Sequence, residues 1–86
     1  MYLKEQSEDI GDIFIMYTVI ELQTNGGVTT PLTTVFDDEN LAYQKFYQIL
    51  SFAVVSEVEI HTAMVINEYG AVLRSDTYSH NTNTEE

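Results

Sequence analysis

The stretch Ile13-Phe14-Ile15-Met16-Tyr17-Thr18-Val19-Ile20-Glu21-Leu22-Gln23-Thr24-Asn25-Gly26 decides how this chain reads. From Asp12 to Thr24 it is rich in β-branched and aromatic residues and apolar on both parities over most of its length. Ile13, Ile15, Tyr17 and Val19 share one parity, while Phe14, Met16, Ile20 and Leu22 share the other. A strand of that composition belongs at the centre of a sheet, covered on both faces. Asn25-Gly26 predicts a hairpin, because both residues tolerate the positive φ of a type I′ turn. The chain then returns as Val28 to Phe36, a Thr-rich strand containing Pro31. Proline cannot donate to a ladder, so this strand is placed at a sheet edge.

Downstream, Phe36-Asp37-Asp38-Glu39-Asn40-Leu41 reads as a helix start. Asp37 or Asp38 can cap the free N–H groups, the acids suit the positive end of the helix dipole, and Phe36 can staple onto Leu41. Tyr43, Phe46, Tyr47, Leu50, Ala53 and Val54 recur at helical spacing and predict its apolar face, with an end near Ser56. A second apolar strand is expected from Val58 to Asn67. Asn67-Glu68-Tyr69-Gly70 has the form of a type I turn, and Ala71 to Tyr78 completes the set.

These elements define an α+β fold of order ββαββ. If the helix returns the chain to the end where the second strand began, the third strand lies antiparallel to the first. The result is a four-stranded antiparallel sheet of order 2-1-3-4 with one helix packed on one face. The two most apolar strands are then central and the Pro31 strand is at an edge. One helix covers one face only, so the other face lacks an internal cover, and uncovered apolar surface usually marks an interface. A homodimer through the sheet face or an edge strand is the expectation.

Composition bounds the function. Fourteen Asp and Glu stand against three Lys and Arg in 86 residues, a formal charge of −11. Gripping phosphate through a basic patch is excluded, anionic membranes are repelled, and basic protein surfaces are attracted. The length suits one domain, and with no Cys there is no disulfide to reinforce a small core. We assign 1–11 as an acidic arm, 12–78 as the domain and 79–86 as a polar tail. The N-terminus lacks an apolar h-region, and no apolar run approaches the ~18 residues of a membrane span. The expected compartment is the cytoplasm of a bacterial host.

No motif names a reaction. His61 beside Glu59 could serve as a base or a metal ligand, yet no nucleophile–base arrangement can be built around it, so a structural or interfacial histidine is the stronger reading. Asp37-Asp38-Glu39 lacks the alternating spacing of a calcium loop and reads as a cap. Asn25-Gly26-Gly27 lacks the spacing of a phosphate loop. Six Tyr are harder to dismiss, since Tyr offers contact area with a polar tip. Only Lys4, Lys45 and Arg74 are cationic, which argues against stacking nucleic-acid bases directly on Tyr. Tyr17, His61 and Arg74 are the candidates for a dimer or ligand interface, with Arg74 as the anion contact.

From about Ile13 to His80 the chain resembles small acidic proteins carried by phages and mobile elements of Firmicutes-type bacteria. The resemblance rests on the Tyr-bearing hairpin, on Ala42-Tyr43-Gln44-Lys45-Phe46-Tyr47-Gln48-Ile49-Leu50, and on Asn67-Glu68-Tyr69-Gly70-Ala71-Val72 followed by Ser75-Asp76-Thr77. It implies a context and no chemistry. Proteins of that kind often inhibit host defence, some by imitating the charge of nucleic acid, as anti-CRISPR proteins do. The expected function is therefore non-enzymatic, without metal or cofactor: docking on a basic nucleic-acid-binding host protein. The predicted contacts are Glu5, Glu8, Asp9 and Asp12 on the arm, Asp37, Asp38 and Glu39 at the helix start, and Glu57 and Glu59. The alternative is an oligomer that sequesters a nucleotide-like ligand, and the third reading is an accessory dimerisation module.

Overall fold

The computed structural model describes residues 15–80 and arranges them as β1 (Tyr17–Asn25), β2 (Val28–Phe36), α1 (Glu39–Val55), β3 (Ile60–Ile66) and β4 (Val72–Ser79). All strand pairs are antiparallel and the order is β2-β1-β3-β4, with α1 on one face. The α+β fold read from the sequence is the fold observed.

The first hairpin turns one residue later than expected. Asn25 pairs with Val28 inside the ladder, and the two central loop positions are Gly26 and Gly27, at φ of 59° and 81°. Both angles lie in the left-handed region, so the glycine pair takes the turn that Asn25-Gly26 was expected to make. Pro31 sits opposite Leu22 on the edge strand, as its missing N–H requires.

β1 also starts later than the Asp12 boundary. Asp12, Ile13 and Phe14 lie outside the described residues, while Ile15 and Met16 precede the ladder and are about half exposed. The apolar run outlasts its partners. β2 stops at Phe36, opposite Tyr17, where Asp37-Asp38 turn into the helix, and β3 stops at Ile66, opposite Thr18. β3 and β4 fall within two residues of their predicted limits.

Asp38 is the N-cap. Its Oδ1 accepts from the N–H groups of Asn40 at 2.8 Å and Leu41 at 3.1 Å. The expected Phe36–Leu41 staple is replaced by Phe36 packing toward the core while Leu41 stays half exposed. Ser56 closes the other end, its N–H reaching the Ala53 carbonyl and its Oγ accepting from Val58 N–H.

The helix face that packs shares Tyr43, Phe46, Leu50 and Ala53 with the predicted one and is shifted toward Ala42 and Ile49. Ala42, Phe46, Ile49 and Ala53 are buried, Tyr43 and Leu50 flank them, and Tyr47 and Val54 are exposed. Alanines at both ends of the stripe let the helix lie close to the sheet, where it meets Val19, Ala63 and Val65.

The helix therefore covers the parity of Val19, Glu21, His61, Ala63 and Val65. The opposite face consists of four rows read straight across the sheet: Val35-Thr18-Ile66-Val72, Thr33-Ile20-Met64-Ser75, Pro31-Leu22-Thr62-Thr77 and Thr29-Thr24-Ile60-Ser79. None of these residues is buried by the described chain, and none carries a charge.

Truncating Phe46 removes the largest side chain from the helix–sheet contact. Phe46→Ala is expected to cost about 3–5 kcal/mol, which a domain this small tolerates poorly. Asp38→Ala is expected to cost only about 1 kcal/mol, through the lost cap. Urea unfolding followed by far-UV circular dichroism checks both, and equal effects would contradict the assignment of core and cap.

Candidate functional site

The β2–α1 junction delivers Asp37, Asp38 and Glu39 to the same end of the sheet as the β3–β4 turn, which carries Glu68. The turn is built by Asn67. Its Oδ1 accepts from Tyr69 and Ala71 N–H, Gly70 N–H donates to its carbonyl, and Gly70 takes φ of 83°. Glu68 Oε1 in turn accepts from the Met16 N–H at 3.4 Å. Tyr17 stands between these acids. Its hydroxyl is held above the ordinary 10.0, first by partial burial, then by the carboxylates of Glu39 and Glu68, with Tyr43 and Asp38 adding to the effect. The acids from the two loops thus act on one side chain.

A second tier rises from this end along the helix. Tyr43 donates to Glu39 Oε2 at 3.0 Å, and the Arg74 guanidinium lies 4.4 Å above the Tyr43 ring. The same Arg74 donates to Tyr47 Oη at 2.6 Å, and the Tyr47 ring meets Phe46 edge-on at 5.0 Å. Cation–π contact at an exposed position contributes roughly 0.5–1 kcal/mol, so the guanidinium is oriented rather than sequestered. Beside it lies an open concavity of about 390 Å³ lined by Phe46, Tyr47, Leu73, Arg74, Ser75 and Asp76. The Asp76 carboxylate in that lining opposes any anion that Arg74 would attract.

His61 is fully buried under the helix. Its Nε2 is 3.2 Å from Glu21 Oε2, a carboxylate only 13% exposed that also accepts from Gln23 Nε2 at 2.8 Å. The approach is off the N–H axis, so neither ring nitrogen has a directed hydrogen bond. The Phe52 ring stands edge-on at 6.3 Å. A reacting molecule has no route to this imidazole through the Arg74 concavity, whose walls do not include it. Among the described residues no three His, Cys, Asp or Glu converge as metal ligands. His61 acts here as a core residue.

The predicted residues thus fall into separate places. Asp37, Asp38 and Glu39 share one end of the sheet. Glu57 and Glu59 are at the other, about 25 Å away along a 17-residue helix. Glu59 already holds the hairpin, its Oε1 accepting from Gly26 N–H at 3.2 Å. Glu5, Glu8, Asp9 and Asp12 lie outside the described residues. Tyr17 and Arg74 are on the helix side, and His61, read from the sequence as structural or interfacial, is buried inside the fold because its parity is the one the helix covers. Glu68 was missed, since nothing local ties it to the helix start. Among the described residues no helix is long and apolar enough to cross a membrane.

Compared with protein-family models, with curated proteins and with solved structures, the chain finds no match.

The Tyr17 environment has a measurable consequence. With the folded-state value raised, the unfolded chain releases this proton first as pH climbs. The contribution is intact below the unfolded value near 10 and is lost as pH rises through the folded one. Urea midpoints should fall with a shallower slope above about pH 10 in Tyr17→Phe than in the parent. Parallel slopes would show that the Tyr17 hydroxyl does not feel those acids.

Proposed function

We propose that the chain is a non-enzymatic acidic interaction protein that docks the Asp37–Glu39 and Glu68 end onto the Lys/Arg surface of a nucleic-acid-binding protein. Occupying that surface would block nucleic acid, which is the action of a phage or mobile-element inhibitor of host defence. The observation that carries the reading is that the β2–α1 junction and the β3–β4 turn, distant in sequence, place Asp37, Asp38, Glu39 and Glu68 at one end of the sheet, with Glu68 tied to the start of β1 through the Met16 N–H. Among the described residues none of these acids pairs with Lys45 or Arg74. Their field is therefore directed outward. Such a field accelerates encounter with a basic partner and weakens as salt shortens the Debye length from ~10 Å at 0.1 M to ~3 Å at 1 M.

A second reading is favoured by Arg74, an exposed cation whose described partners are Tyr43 and Tyr47 alone. It makes the neighbouring concavity a place for a planar, weakly charged ligand. Nucleotides are the cheap probe, by thermal shift, and Asp76 argues for a small effect.

Affinity capture from a bacterial lysate identifies a basic partner, and competition with nucleic acid for the purified partner then tests the mode of action. The informative variant is Asp37→Lys with Glu68→Lys, which spares the Asp38 cap and the Glu39–Tyr43 bond. It should weaken binding at least about tenfold, ~1.4 kcal/mol, while Glu57→Lys at the far end changes little. Binding that survives the double reversal, or that salt does not weaken, would overturn the proposal.

A further inference from the structure

The uncovered sheet face departs from the usual one-sided antiparallel sheet in one respect: the charged residues of the sheet lie on the helix-covered parity, beside the core residues Val19, Ala63 and Val65, and not on the open one. Here the helix-covered parity holds Glu21, Gln23 and His61 on the central strands and Arg74 and Asp76 on β4. The open parity holds Ile20, Leu22, Met64 and Ile66 at its centre, surrounded by Thr and Ser, with no charge in any of its four rows. The chain carries a net charge of −11, and none of that charge falls on this surface. From this segregation we infer that the open face is where a second copy of the chain packs, sheet against sheet, giving a dimer with its helices outermost.

Three observations select this occupant. The first is charge. A basic partner would be met through carboxylates, and the face offers none, whereas two copies repel everywhere except where both are neutral. The second is area. Four strands about 4.8 Å apart, seven to nine residues long at about 3.3 Å each, span roughly 500 Å² in plan. Two such faces bury about 1,000 Å² before side-chain relief is counted, enough for a specific interface, and sheets stack at ~10 Å with their strands ~30° apart. The third is the state of the edges. β2 is blunted by Pro31, and β4 carries Arg74 and Asp76 together with a register break opposite Val65 and Ile66. Edge-to-edge pairing is thereby disfavoured and stacking is left as the way to cover apolar surface.

The inference does not rest on the docking function proposed above, and salt separates the two. Dimerisation through a neutral face tightens as salt screens the mutual repulsion, whereas docking on a basic partner weakens. Sedimentation equilibrium of the full chain, at low and at high salt, is the first experiment. It is then repeated on Met64→Glu, at the centre of the face, and on Thr33→Glu, in the same row. Thr33 is already exposed and polar, so that variant keeps the fold when Met64→Glu does not. Val55→Glu, on the exposed outer side of the helix, is the control.

The expected result is a dimer whose dissociation constant falls with salt. Either face variant should raise it by about tenfold or more, because the new carboxylates would meet a desolvated neutral surface. Val55→Glu should leave it within about twofold, the scale of a distant surface change. A monomer at every salt concentration would overturn the inference, as would a dimer that withstands both face variants or dissociates on Val55→Glu. A full-length monomer that dimerises after removal of residues 1–11 would likewise overturn it, assigning the face to the chain's own arm.

Discussion

Everything else in this structure follows from the close seating of one helix on the two central strands. Ala42 and Ala53 on the helix and Ala63 on β3 are completely buried, and between them Phe46 and Ile49 reach Val19 and Val65. Small side chains at these points let the backbones approach, and the two larger ones fill the remaining space. That seating selects the parity of the sheet to be covered. It also rotates Tyr43 and Tyr47 out over β4, where Arg74 meets them, and brings the helix N-terminus against the end of β1 at Tyr17.

The choice of parity has an electrostatic side. Glu21 and His61 are both enclosed, 3.2 Å apart, and neither ring nitrogen gains a directed hydrogen bond in exchange for the water it gives up, so the pair is poor support for stability. The parity that is covered is the one that carries Ala63, the small residue against which the helix is seated. The fold thus encloses a polar pair and leaves a neutral surface outside, while of its described exposed acids all but Asp76 lie at the two ends of the sheet.

Much of the architecture was legible because its signals are local. Pro31 marks an edge, Asp38 a cap, Asn67 through Gly70 a turn, and the two long apolar runs the sheet centre. The strand order then follows from the fact that a helix must return the chain across the sheet. Where reading failed, the deciding quantity was not local. The packed helix stripe was shifted because Tyr47 and Val54 count as apolar in a periodicity, although Tyr47 sets its hydroxyl at the surface against Arg74. Alanine scores weakly, and its value lies in the gap it leaves. The start of β1 depends on where β2 and β3 end, not on its own composition. Of the acidic end, the helix half was visible and Glu68 was not. The contact of His61 with Glu21 exists only once the register between β1 and β3 is fixed.

The strand order also dictates how the chain finds its fold. The hairpins β1–β2 and β3–β4 are closed by short turns and form from neighbouring residues. The ladder between them joins Glu21 to Ala63, across about forty residues, and the loop it closes must lose its freedom before any contact across it is gained. The helix lies inside that loop and shortens the distance its ends must search. The ladder between β1 and β3 thus has the greatest sequence separation of the three, and its closure costs the most chain entropy, which the helix enclosed in the loop helps to offset.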